Sequence, residues 1–180
     1  GMMVVHKEGM AIRHPQRETI EAQSFWDWHP YGKSTKFHHL ELPNNFSEVD
    51  IIGSESVSPK FLLWGDSHAM AFIPGLEIAF KENNCSFYAL TKSSNPPLLN
   101  YQLPGQELID NTALNKNILD FIESKNQIHT IILACAWSEY RDKFWLSDDP
   151  SGIKTVKFFN ACLTETIDSI HKLNKNIVIF

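Results

Sequence analysis

The chain has 180 residues, 43% apolar, 12% aromatic and 21% charged, with a formal net charge of −5. That is ordinary globular content and enough chain for one compact domain with a sizeable core. The acidic balance excludes a broad basic footprint for nucleic acid. No run of about 18 apolar residues offers a membrane span, and no signal peptide is visible, while Gly1-Met2 reads as a cleaved-tag remnant.

Residues 1–57 read as an irregular N-terminal arm or linker, rich in His, Pro and aromatics and without a sustained period. Within it, Phe25-Trp26-Asp27-Trp28-His29-Pro30-Tyr31 is an aromatic cluster beside prolines. Packing against the main body is the plain expectation, since large aromatics belong to cores and interfaces. A carbohydrate platform is the functional alternative. His29, His38 and His39 lack an acidic or Cys partner at ligand spacing, so no metal site is expected there.

From residue 58 strands and helices alternate. Lys60 to Trp64 is a short apolar run bounded by Pro59 and Gly65, which predicts a buried strand. His68 to Asn83 follows as a helix with Met70, Ile73, Leu76 and Phe80 at helical spacing, interrupted by Pro74. Ser86 to Thr91 is a second strand. Residues 92–110 form a long loop carrying Pro96, Pro97 and Pro104, and long ordered loops are often functional. Asn111 to Ser124 is an amphipathic helix with Leu114, Ile118, Phe121 and Ile122 on one side. Gln127 to Ala136 is a third strand, Ser138 to Gly152 a polar loop with aromatics, Ile153 to Leu173 a helix, and Asn176 to Phe180 a fourth strand.

Near-continuous apolar strands alternating with helices imply an α/β domain over residues 58–180: a three-layer sandwich around a mainly parallel, flavodoxin-like sheet. Ligands bind at the carboxyl ends of strands in such sheets. Ser67, the 92–99 loop and the Trp137–Tyr140 segment all follow strand ends, so they should converge on one edge.

Cys85, Cys135 and Cys162 lie far apart, with neither C-x-x-C nor zinc spacing. Cys135 sits in an apolar strand and reads as a small buried hydrophobe. Spacing leaves open a Cys85–Cys162 pair in an oxidising compartment.

The chemistry concentrates in Phe61-Leu62-Leu63-Trp64-Gly65-Asp66-Ser67-His68, an apolar run that stops at Gly-Asp-Ser-His just before a helix. A serine at such a turn has its hydroxyl clear of the sheet and its backbone N–H at a helix N-terminus. An attacking oxygen and a donor for a developing oxyanion are then side by side. The same placement suits Ser67 to cap the helix, with no chemistry implied. Asp66 is a structural residue fixing the turn or, less simply, a proton-transfer partner. His68 is adjacent to the serine and faces elsewhere on a helix, a poor position for a general base.

Apolar-Leu-Trp-Gly-Asp-Ser-His-Ala-Met resembles block I of the SGNH/GDSL hydrolase superfamily. More narrowly it resembles the C-terminal SGNH domain of acyltransferase-3 type membrane proteins, which modify bacterial surface polysaccharides. Thr91-Lys92-Ser93-Ser94-Asn95-Pro96-Pro97-Leu98-Leu99 and Ile131-Ile132-Leu133-Ala134-Cys135-Ala136-Trp137-Ser138-Glu139-Tyr140 resemble that family's second and third segments. The resemblance covers roughly residues 58–180. It implies Ser67 and Asp66 as catalytic positions and Gly65, Asn95 and Trp137 as substrate- or oxyanion-binding positions. Two departures stand out. Asn95 occupies a place where family members often have Cys, and Trp137-Ser138 stands where the superfamily uses an Asn donor. The one Asp-x-x-His string in these residues, Asp168-Ser169-Ile170-His171, lies inside the 153–173 helical pattern; none follows Asn176 to Phe180, which reads as a strand cut short, so the expectation is a fragment of a longer domain.

Two functions follow. One is serine-dependent O-acyl transfer or ester hydrolysis, such as O-acetylation chemistry, on a cell-surface carbohydrate at the periplasmic or extracellular side. Its partners would be an acylated carbohydrate or acyl donor and a membrane acyltransferase domain of the same protein, with no cofactor or metal. The other is a non-catalytic carbohydrate-binding or interaction module that retains the fold.

Overall fold

Strands that are apolar at every position need cover on both faces, and the sheet provides that cover. The computed structural model describes residues 49–102, 111–142 and 152–180. The aromatic cluster at 25–31, the histidines at 29, 38 and 39 and the 103–110 part of the long loop lie outside the described residues. In chain order the elements are β1 (Ile51–Gly53), β2 (Phe61–Gly65), α1 (Ser67–Glu82), β3 (Ser86–Thr91), α2 (Asn111–Ser124), β4 (Thr130–Ala134), α3 (Trp137–Asp142), α4 (Ile153–Lys172) and β5 (Asn176–Ile179).

The five strands form one sheet in the order β1-β3-β2-β4-β5. β2 pairs parallel with β3 and β4, and β4 pairs parallel with β5, so the four predicted strands are parallel throughout. β1 adds a short antiparallel edge, with Ile52 opposite Phe87. It falls inside the segment that reads as an irregular arm, because three residues are too few to show a period.

Alternate side chains divide the core in two. Leu62, Trp64, Leu90, Ile131 and Leu133 face Leu114, Ile118 and Ile122 of α2 and Ile170 of α4. Leu63, Phe87, Ala89, Ile132 and Ala134 face Ala69, Met70 and Ile73 of α1. A third cluster caps the carboxyl end: Leu98, Tyr101, Cys135, Tyr140, Phe159 and Cys162. The three layers are therefore α1, the sheet, and α2 with α4. Helix α1 runs through Pro74 without ending there.

The segment after Ala136 departs from the expected polar loop. Its first six residues are helical, held by the Ala136 carbonyl, which accepts from Glu139 N at 2.8 Å and Tyr140 N at 3.3 Å.

Candidate functional site

Connectivity locates the site before any side chain does. From β2 the chain passes through α1 to β3 on one side. From β4 it passes on to β5 on the other side. The winding therefore reverses between β2 and β4, and the crevice beyond their carboxyl ends is where an open α/β sheet binds ligands. Gly65 and Ala134 are the last register partners across that crevice.

Gly65 is there because nothing larger fits. A Cβ on it would lie on the Ala134 carbonyl oxygen and 2.6 Å from Ala69 Cβ. The missing side chain lets α1 start directly against β4. Asp66 then takes the N-cap position in extended backbone, and its Oδ1 accepts from His68 N at 2.8 Å. Its Oδ2 reaches across the crevice, accepting from Ala136 N at 3.2 Å and from Tyr140 Oη at 2.7 Å. Asp66 is 1% exposed, and its carboxylate joins the β2–α1 turn to the β4–α3 turn.

Ser67, the first residue of α1, is half-buried, and its hydroxyl makes no hydrogen bond among the described residues. The capping job that the sequence alone would let Ser67 perform belongs to Asp66. His68 is exposed, and its Nδ1 lies 3.6 Å from Asp66 Oδ1, so the ring leans toward the cap carboxylate.

A chain of tyrosines continues the tie. Tyr101, in the loop after β3, donates its hydroxyl to the Tyr140 carbonyl at 2.8 Å, and the two rings meet edge-on at 6.1 Å. The loops after β2, β3 and β4 are thus linked through Asp66, Tyr140 and Tyr101. Burial, then the Asp66 charge and the hydrogen bond to it, pushes the Tyr140 phenol far above its ordinary value. It therefore stays a donor at any physiological pH. Burial, followed by the Asp66 charge, likewise holds the Cys135 thiol protonated. All three cysteines are free.

Asn95 is fully buried, and its Nδ2 donates to Asn115 Oδ1 at 2.8 Å. Its Oδ1 is buried without a hydrogen-bond partner. Asn115 in turn donates to the carbonyls of Pro96 and Leu98 at 2.9 and 2.8 Å, shaping the Pro-Pro-Leu turn. Trp137 begins α3, and its indole Nε1 donates to the Phe180 carbonyl. It also lines a cavity of about 340 Å³ with Ser138, Arg141, Phe159, Leu163 and Ile179. Gly65 ends β2, and Asp66, Ser67, Asn95 and Trp137 all follow carboxyl strand ends. Asp66 meets the β4–α3 turn directly and Ser67 follows it at the start of α1, whereas Asn95 is buried against Asn115 and Trp137 turns toward β5.

Sequence reasoning assigns no role to Tyr101, Tyr140, Asn111 or Asn115. A signal for the last two exists. Asn111 and Asn115 continue, at four- and three-residue steps, the stripe of Ile118 and Ile122. A polar side chain on a core stripe must find partners there.

A three-layer α/β domain with a serine at the N-terminus of the helix after its central strand has the architecture of the serine-hydrolase-like folds. The family model described as "SGNH domain (fused to AT3 domains)" matches residues 34–180, and the chain belongs to that family. Among solved structures it is similar to the periplasmic domain of the Salmonella ser. Paratyphi A lipopolysaccharide acetyltransferase. That match has a TM-score of 0.55 and 17% identity and covers 86% of this chain. The likeness is one of fold, and this chain spans 56% of that structure's length. No curated protein sequence matches the chain.

Proposed function

We propose that this domain is the serine-nucleophile module of a membrane-fused acyltransferase, acting on O-acyl groups of a cell-surface carbohydrate on the periplasmic or extracellular side. The observation that supports this most is the division of labour at the turn. Asp66 caps the helix, and the Ser67 hydroxyl is left half-exposed and unused at the carboxyl edge of β2.

In this reading Ser67 Oγ attacks the acyl carbonyl and its proton passes to a base. The oxyanion forms near the Ser67 N–H, at the positive end of α1. Collapse expels the sugar oxygen, which takes the proton and leaves an acyl-serine. A second sugar hydroxyl or water then receives the acyl group, giving transfer or hydrolysis. Gly65 allows the close approach, Asp66 fixes the turn, Trp137 walls the β5 side, and Asn95 ties the loop to Asn115, which holds the Pro-Pro-Leu turn. By the family resemblance the base would be the histidine of an Asp-x-x-His segment; the one in these residues, Asp168-Ser169-Ile170-His171, ends α4 just before the amino end of β5, at the sheet edge opposite Ser67. His68 is one position along the helix from Ser67, and its ring leans toward the Asp66 carboxylate.

The test is a fluorophosphonate probe on the full natural protein, read by peptide mass spectrometry. Labelling at Ser67 that disappears in Ser67→Ala is the expected result. Labelling elsewhere, or none in a folded protein, overturns the proposal. If the unlabelled protein still binds acylated glycan, the domain is a binding module.

A further inference from the structure

We infer that Tyr140 is a positioning residue for Ser67, holding the first turn of α1 against the β4–α3 turn through its hydrogen bond to Asp66. The inference rests on the reading of Ser67 as nucleophile.

The two oxygens of Asp66 have separate tasks. Capping α1 uses Oδ1 alone, through His68 N at 2.8 Å. Oδ2 contributes nothing to the cap and instead accepts from Tyr140 Oη and Ala136 N. A cap alone could be supplied by Ser, Thr or Asn. Only a side chain with a second acceptor facing the crevice both caps the helix and grips the opposite turn.

The grip matters because α3 has six residues, too few to be stable alone. Tyr140 is its anchor. Its side chain is 4% exposed, set edge-on to Tyr101, and its carbonyl is bonded by the Tyr101 hydroxyl. Ala136, whose N–H is held by Asp66 across the crevice, and Trp137 after it lead directly into that anchor. A phenylalanine at 140 would fill the same space and leave Oδ2 with the Ala136 N–H as its remaining donor of the two. The turns would stay packed, but their spacing would no longer be set by a hydrogen bond. Reactivity depends on such spacing far more than folding does: a misplacement of about 1 Å can cost roughly 10²-fold in rate.

The experiment compares the full natural protein with its Tyr140→Phe, Asp66→Asn and Tyr88→Phe variants under a fluorophosphonate. Asp66→Asn keeps the acceptor for His68 N and turns an NH2 toward Tyr140 and Ala136. Tyr88→Phe removes a phenol remote from the crevice. The limiting labelling rate, the half-saturating probe concentration and the final stoichiometry are read separately. Tyr140→Phe and Asp66→Asn should each lower the limiting rate by about 10- to 100-fold. Half-saturation should stay within about twofold and stoichiometry should be full, while Tyr88→Phe behaves as wild type. A wild-type rate in Tyr140→Phe overturns the inference, as does a loss of stoichiometry with the rate unchanged, which would mark a purely structural role. If even the wild-type protein fails to label, the nucleophile reading fails by itself. Amide hydrogen exchange then decides the positioning claim. Tyr140→Phe must speed exchange at His68 and Ala136 by tenfold or more while β3 is unchanged, and unchanged exchange at both overturns it.

Discussion

Trp64 Nε1 donates to Asn115 Oδ1 at 3.2 Å, a buried bond between the central strand and α2 beneath the carboxyl edge of the sheet. Asn115 spends its whole hydrogen-bonding capacity there. Its oxygen also accepts from Asn95, and its NH2 serves the carbonyls of Pro96 and Leu98. Asn115→Ala would strand two buried donors and the Leu98 carbonyl, leaving the Pro96 carbonyl its bond from Leu98 N, and each stranded group costs about 1–3 kcal/mol. A loss of about 3 kcal/mol or more is expected in urea unfolding. Asn115→Asp, although isosteric, should be comparably damaging, because it aims carboxylate oxygen at two carbonyl oxygens.

Two glycines give opposite expectations. Gly65→Ala drives a methyl into Ala134 backbone and Ala69, with little room for either to yield. Overpacking of this kind costs about 1–3 kcal/mol and sometimes more, so a lower melting temperature and poor soluble yield should follow. A Cβ on Gly75, inside α1, meets nothing within 4 Å. Gly75→Ala should stabilise by about 0.5–1 kcal/mol, because glycine is a poor helix former.

Alkali should destabilise this protein early. Burial pushes the Cys162 thiol up to about 11 from its ordinary 9.0. Burial also raises Cys135, Tyr101 and Tyr140, the last two from an ordinary 10.0. The unfolded chain releases these protons first, so above that range it binds fewer protons than the native state. Stability then falls as pH rises. Unfolding midpoints in urea should hold up to about pH 9 and decline more steeply past about pH 10, where tyrosine joins cysteine. A midpoint flat to pH 11 would contradict the burial of this cluster.

Thiol chemistry offers a check on the same region. Cys85 is half-buried near the amino end of β3, whereas Cys135 and Cys162 are 8% and 3% exposed. An aromatic disulfide reagent should modify Cys85 first in the native protein. Cys135 and Cys162 should react only at the rate of local opening.

The strands and long helices are legible because their signals are local. Pro59 and Gly65 bracket β2, and Leu114, Ile118, Phe121 and Ile122 mark the buried side of α2. Parallel pairing of β2, β3, β4 and β5 follows from strands that are apolar throughout, and so does the gathering of Ser67 and the later loops at one sheet edge. The finer site is not local. That the Asp66 carboxylate also grips the turn across the crevice depends on Ala136 and Tyr140, 70 and 74 residues away. Asn115 looks like a polar interruption in a core stripe until the Pro-Pro-Leu turn it supports is in view. Helix α3 hides for a different reason: six residues do not complete two turns, so no period can show.

β5 sets how the isolated domain behaves in a tube. Val178, Ile179 and Phe180 are 41%, 51% and 55% exposed, and among the described residues the strand pairs with β4 alone. The exposed ring of Phe72 in α1 lies tilted against Phe180, 5.7 Å between centroids, widening the greasy stripe beyond the backbone edge. Attraction between copies along that stripe opposes the repulsion from a net charge of −5, and added salt screens only the repulsion. Colloidally, then, these 180 residues taken alone should keep best dilute and at low ionic strength.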